Sequence, residues 1–191
     1  MYESLGSGNN FGWDFIDSPD PQLMVWSPDA SSNYKWNDST NWDISGGLAA
    51  GRAPLPCDTV LFDNSGFSNS HDTVLIDELV YCHTMYWNGP FTNNPVLDFN
   101  GDAPLLINGS MYLSPDLDIR TEPGSHSTII FYSDSSGNEI KTYGKTLPIN
   151  MHFTAYGDYI LLDKLRISAD RTISFENGSF NSDGYNISAG Y

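Results

Sequence analysis

The sequence predicts an all-β fold, a right-handed parallel β-helix (β-solenoid) with an aromatic-rich cap and loop segment on its N-terminal side. Three observations carry that expectation. First, the apolar residues come in short beats. Between Tyr159 and Gly190 they fall at Ile160–Leu162, Leu165, Ile167, Ile173, Phe175, Phe180, Tyr185 and Ile187, with Asn, Asp and Gly between them. No stripe of ~3.6-residue period joins these positions, so they read as very short strands separated by polar turns. Such strands bury little in hairpins, whereas stacking in a parallel coil covers each turn with the next. Second, LLINGSMYL around Asn108 and SFENGSFNS around Asn177 share a strand, Asn-Gly-Ser and another strand. Their offset of 69 residues is three turns of 23. Third, 17 Gly and 11 Pro among 191 residues, with many Asn, Asp and Ser, fit a turn-dense β protein.

In chain order, residues 1–25 read as a loop-like lead-in or the end of a preceding module, with GNNFGWDF as one strand candidate. Residues 26–56 form a Trp-rich segment followed by the Gly- and Pro-punctuated loop SGGLAAGRAPLP. Two readings of Trp26, Tyr34, Trp36 and Trp42 are open. Exposed rings of this kind stack on sugars, which makes the four a candidate ligand-binding set. The other reading is a cap, because the open end of a solenoid needs bulky side chains over its core. The position of the cluster, where the coil begins, favours the cap. Residues 57–191 read as the solenoid itself. They run through CDTVLFD, DTVLID, YCHTMYWNG, PVLDFNG, PLLINGSMYL, LDIR, STIIFYS, EIKTYG and LPINMHFTAYG to the closing stretch.

A hydrophobic fraction of 39% with 14% aromatics places the chain outside the disordered class. The formal charge of −16, from 24 acids against 8 bases, argues against nucleic acid and anionic membrane as partners. No stretch approaches the ~20 apolar residues of a membrane span. The N-terminus has neither a basic region nor an apolar core of a signal peptide. The chain therefore reads as a piece of a longer protein or one delivered by another route.

Catalytic motifs are missing: there is no G-x-S-x-G, H-E-x-x-H or C-x-x-C. Gly144-Lys145-Thr146 resembles the end of a phosphate-binding loop, but Glu139 stands where the earlier glycine is required, so it reads as a turn. His71, His83, His126 and His152 have no partners at metal-binding spacing. A polysaccharide-cleaving β-helix would draw on Arg120, Lys164 and Arg166 with Asp116, Asp118, Asp163 and Asp170. These acids sit where turns favour Asp anyway. No catalytic residue, metal ligand or cofactor is assigned; Ca²⁺ is the one alternative, at Ser133–Glu139 or Leu97–Asp102, neither with EF-hand spacing.

Cys57 and Cys82 stand 25 residues apart, close to one turn. Equivalent positions on adjacent coils lie ~4.8 Å apart, inside the roughly 4.4–6.8 Å that a disulfide tolerates. A Cys57–Cys82 disulfide and a pair of buried thiols are both open.

The run from Trp26 to Trp87 resembles a repeated β-solenoid module of large secreted and cell-surface proteins of Bacteroidetes. The residues that carry the likeness are Asn41-Trp42, Ser45-Gly46-Gly47, Pro54, Asp58, Val60, Phe62, Asp63, Val74, Ile76, Asp77, Tyr81-Cys82, Trp87 and Gly89, with SFENGSFNSDGYNISAG near the end. Cys57 departs from that pattern. The resemblance implies a non-catalytic, adhesin-like or structural module of an extracellular surface protein, contacting surface polysaccharide, with neighbouring modules or subunits stacked on its ends. It also implies an oxidising setting, which favours the disulfide. Two alternatives stay beside it: a phage or virion appendage of similar build, and a polysaccharide-active enzyme.

Overall fold

The structure is a computed structural model that describes residues 19–29, 31–69 and 72–190. The strand candidate GNNFGWDF and His71 lie outside the described residues. Strands and turns make up the described residues, with two single-turn 3₁₀ segments and no α-helix. A lead strand β1 (Leu23–Trp26) is followed by β2 (Trp42–Ile44) and β3 (Leu48–Ala49). Then come five three-sided turns: β4 (Thr59–Phe62), β5 (Thr73–Ile76) and β6 (Val80–Cys82); β7 (Thr84–Trp87), β8 (Val96–Phe99) and β9 (Pro104–Ile107); β10 (Met111–Tyr112), β11 (Asp118–Thr121) and β12 (Thr128–Phe131); β13 (Asn138–Lys141), β14 (Thr146–Leu147) and β15 (Asn150–Phe153); β16 (Asp158–Leu161), β17 (Leu165–Ile167) and β18 (Ile173–Phe175). A two-sided sixth turn holds β19 (Ser179–Asn181) and β20 (Ile187–Ala189).

The first face is one sheet, ordered β19-β16-β13-β10-β7-β4-β1-β2-β3, and the third is β18-β15-β12-β9-β6. The second face is divided into β11-β8-β5 and β14-β17-β20. All pairing from β4 onward is parallel, so the chain is the β-solenoid its strand rhythm predicts.

Alternation sets which residues point inward. On the first face Met24, Val60, Met85, Met111, Ile140 and Leu161 lie on one rung line, and all are fully buried. From Val60 onward their steps are 25, 26, 29 and 21 residues, so the turns are unequal in length. The Asn-Gly-Ser match survives this variation. Asn108 and Asn177 occupy the same corner, between third and first face, three turns apart. Small residues stack there: a Cβ on Gly157 would collide with the Ser133 carbonyl, and one on Gly178 with the Gly157 carbonyl.

The lead-in contributes more than the sequence suggested. Strand β1 already pairs in parallel with β4, so the first face begins at Leu23 rather than after residue 57. Strands β2 and β3 then fold back antiparallel and cover the outer edge of β1. The intervening segment crosses the second face, where Trp36 N–H donates to Leu75 O (2.9 Å) and Leu75 N–H to Tyr34 O (2.8 Å).

One ion pair with a buried carboxylate ties these segments to the first turn. Asp58, with a fully buried side chain, accepts from Arg52 Nη1 and Nη2, from Leu55 N–H (2.7 Å) and from Gln22 N–H (2.9 Å). Burial alone would raise the Asp58 pKa. The Arg52 hydrogen bond and the two backbone donors more than offset it and hold the carboxyl below its ordinary value. Such a group stabilises the fold above its unfolded-state pKa, and that contribution is lost as pH falls through the lower folded value. Asp58→Asn should therefore cost about 1–3 kcal/mol at neutral pH, because an amide N–H₂ replaces one buried acceptor oxygen facing Arg52 and the backbone donors. In urea melts the gap between variant and parent should narrow below pH ~4; a gap that widens in acid would refute this account.

Candidate functional site

The aromatic cap comes first, because its residues were the leading candidates for ligand contact. Trp26, Trp36 and Trp42 are buried to within 1% of full burial, which removes them as an exposed sugar platform. The rings contact one another edge-on, Trp26–Trp42 at 5.0 Å and Trp36–Trp42 at 5.2 Å, and all three lie within 6.0 Å of Phe62. Trp42 Nε1–H donates to Trp36 O (2.6 Å). Tyr34 is half-buried against the same cluster, in a left-handed backbone conformation (φ 57°). The physical reason is that the end of the solenoid would otherwise expose Phe62 and Val60, and bulky rings cover the most area per residue.

The cysteines obey the predicted register but are not joined. His83 N–H donates to Asp58 O (2.6 Å), and the ladder offset of 25 brings Cys57 level with Cys82. Both are nevertheless free thiols. Cys82 points into the core from β6, whereas Cys57 Sγ lies 3.5 Å from Pro19 O. Stacked positions do not guarantee that side chains aim at each other.

The polar candidates do not converge. Asp116 accepts from Phe91 N–H (2.9 Å), and Asp163 accepts from Thr142 N–H (2.9 Å) and Oγ1–H (3.0 Å). Arg120 pairs with Asp118 on the second face (2.9 Å). Arg166 stands on the same face beside Thr146, and Lys164 O accepts from Thr142 Oγ1. Asp170 stands at the next corner beside Arg171. Most of these are turn and ladder contacts. Lys145 ends its turn by donating to Pro115 O (2.6 Å). Among the described residues no group of three or more His, Cys, Asp or Glu is placed to hold a metal ion.

A groove that none of these residues lines lies on the outer side of the first face. Leu61, Tyr86, Tyr112 and Lys141 are successive outward rungs of β4, β7, β10 and β13. With ~4.8 Å per strand, this line is about 14 Å long and runs along the solenoid axis. Tyr86 and Tyr112 stack at 4.5 Å, nearly parallel (5°). Tyr112 Oη–H donates to Glu139 Oε2 (2.6 Å). Burial, and then that hydrogen bond, push the Tyr112 phenol well above its ordinary pKa. Tyr143, at the corner, holds a left-handed conformation (φ 56°) and is half exposed, with Lys141 Nζ 4.6 Å from its ring centre.

These residues, with Asn88 and Leu113, line a cavity of about 360 Å³. A second of about 210 Å³ is bounded by Gly89, Pro90, Ser114 and Pro115. Trp87 and Tyr143 border both, so the two are contiguous. The sequence reading missed this site. Its residues lie 25 to 29 positions apart, and only the actual turn lengths bring them into line.

No family model, no curated protein and no solved structure matches the chain. The function must therefore be read from this geometry.

Two consequences can be checked. Trp36→Ala should lower stability by about 3–5 kcal/mol, as removal of a large core ring does; a change under about 1 kcal/mol in urea unfolding would contradict the cap. Burial pushes the Cys82 thiol up, while Cys57 is only partly buried. Of the two thiols, a colourimetric thiol reagent should titrate Cys57 alone in the native protein and both in denaturant.

Proposed function

We propose that the chain is a non-catalytic structural and adhesive module of an extracellular surface protein, and that it contacts glycan through the tyrosine groove. The observation that carries this reading is the outward line Leu61–Tyr86–Tyr112–Lys141 with half-exposed Tyr143 beside it. Tyrosine offers an apolar ring face for a sugar and a hydroxyl for hydrogen bonding. The Trp cluster plays no part in the contact; it closes the fold.

The opposite end of the solenoid supports the modular half of the reading. Phe175, Tyr185 and Ile187 are 41–47% exposed, while the inward residues of earlier turns are buried. A further coil stacked on β18, β19 and β20 would cover them and pair their open edges.

A glycan array probed with the labelled chain tests the contact. Tyr86→Ala should lose the array signal about tenfold or more, with melting temperature changed little, because Tyr86 is 38% exposed. An array silent at all concentrations, or a signal untouched by Tyr86→Ala, would overturn the proposal.

A further inference from the structure

The groove has a charge character that differs from the rest of the molecule. The chain carries −16 overall, with eight bases. Along the groove stand one acid, Glu139, and one base, Lys141, and each is engaged with a tyrosine. Glu139 accepts from Tyr112 Oη, and Lys141 sits over the Tyr143 ring. The remaining lining is uncharged: Leu61, Tyr86, Asn88, Leu113 and Trp87. The site is thus electrically balanced on a strongly acidic surface.

The backbone beneath it is also closed. Strands β4, β7, β10 and β13 are paired on both sides within the first face. No strand edge is open there, so an extended peptide has no main-chain partners to add to. Recognition at this site must run through rings, hydroxyls and amide groups. Its direction is set by the ladder, along the axis and across four turns. That length suits a chain of several units rather than a single small molecule.

We infer that the groove takes an uncharged, linear polysaccharide, lying along the solenoid axis with sugar faces against Tyr86 and Tyr143. This rests on the reading of the groove as a glycan site and adds the ligand class. An acidic polymer would meet one engaged lysine here and repulsion from the surrounding surface. A neutral polymer meets neither, and its binding is insensitive to salt.

Affinity electrophoresis of the whole 191-residue chain separates the cases. The gels hold hydroxyethyl cellulose, galactomannan or polygalacturonate, each at low and high salt. The expected result is retardation by a neutral polymer, equal at both salts, and none by polygalacturonate. Tyr143→Ala should weaken that retardation about tenfold, since its exposed ring contributes contact but little to the core. Lys141→Gln should leave the remaining retardation equal at low and high salt, because the contact with a neutral polymer does not run through the ammonium charge. Circular dichroism melts on both variants establish that they are folded. Retardation by polygalacturonate, abolished by salt and by Lys141→Gln, would overturn the uncharged class and leave a glycan site standing. Retardation by no polymer, neutral or acidic, would overturn both readings together.

Discussion

In a coil of parallel strands, an inward side chain packs mainly against its counterparts one turn above and one below. Every turn must therefore place an apolar residue on the same line, whatever the length of its loops. Met24, Val60, Met85, Met111, Ile140 and Leu161 meet that condition on the first face. The core is graded along the axis as a result. Large rings gather at the N-terminal side, where Phe62 stacks on Trp87 at 4.1 Å. Aliphatic residues such as Leu105, Ile107 and Ile119 fill the middle. A second ring stack, Phe131–Phe153–Phe175 at 4.7 and 4.9 Å, runs toward the C-terminal side. Identical neighbours on a ladder stack well, so rings extend as columns rather than appear singly.

The fourth turn shows what happens when loop length changes abruptly from one turn to the next. Only residues 142–149 separate β13 from β15, and β14 occupies two of them. A path that short does not stay in line with β11, and the second face divides between β11 and β14. Side chains bridge the division. Lys145 Nζ donates to Pro115 O, and Thr121 Oγ1 to Pro148 O (3.2 Å). Arg171 reaches from the fifth turn past the short corner to Ser125 O and Thr121 Oγ1. Desolvation lowers the Lys145 pKa, as expected of an ammonium drawn into such a seam, with Asp118 and Asp116 opposing the shift. The inward line continues through Leu147 and Ile149, both fully buried, so the core tolerates a split in one sheet.

Rhythm was legible in the sequence, and exact stacking was not. Two-residue alternation in DTVLFD and DTVLID is a local property, and both segments became strands with Val60, Phe62, Val74 and Ile76 inward. The Asn-Gly-Ser pair gave a sound mean turn length because it spans three turns, over which long and short loops average out. Single turns vary from 21 to 29 residues on the first face, so outward neighbours such as Tyr112 and Lys141 were invisible as a pair. The boundary at residue 57 failed for a related reason. Strand β1 pairs with β4 across an inserted hairpin, and nothing local in LMVW announces a partner 36 positions away. The Cys57–Cys82 spacing was right in register and silent about side-chain direction.

Parity along one strand separates the two roles of the aromatics. Tyr86 and Trp87 are adjacent in β7, yet Trp87 is 3% exposed and Tyr86 38%. Trp87 stacks under Phe62, while Tyr86 stacks on Tyr112 outside. A slip of one residue would exchange them, placing a phenol in the core and an indole in the groove. The cap prevents that slip at its source. Asp58 locks the residue before β4 to Arg52, Leu55 and Gln22, and each later turn inherits the register of the one beneath. The precision of the outer groove thus depends on an ion pair at the start of the first turn, three strands before Tyr86. Side chains remote from the groove decide whether Leu61, Tyr86, Tyr112 and Lys141 form a line at all.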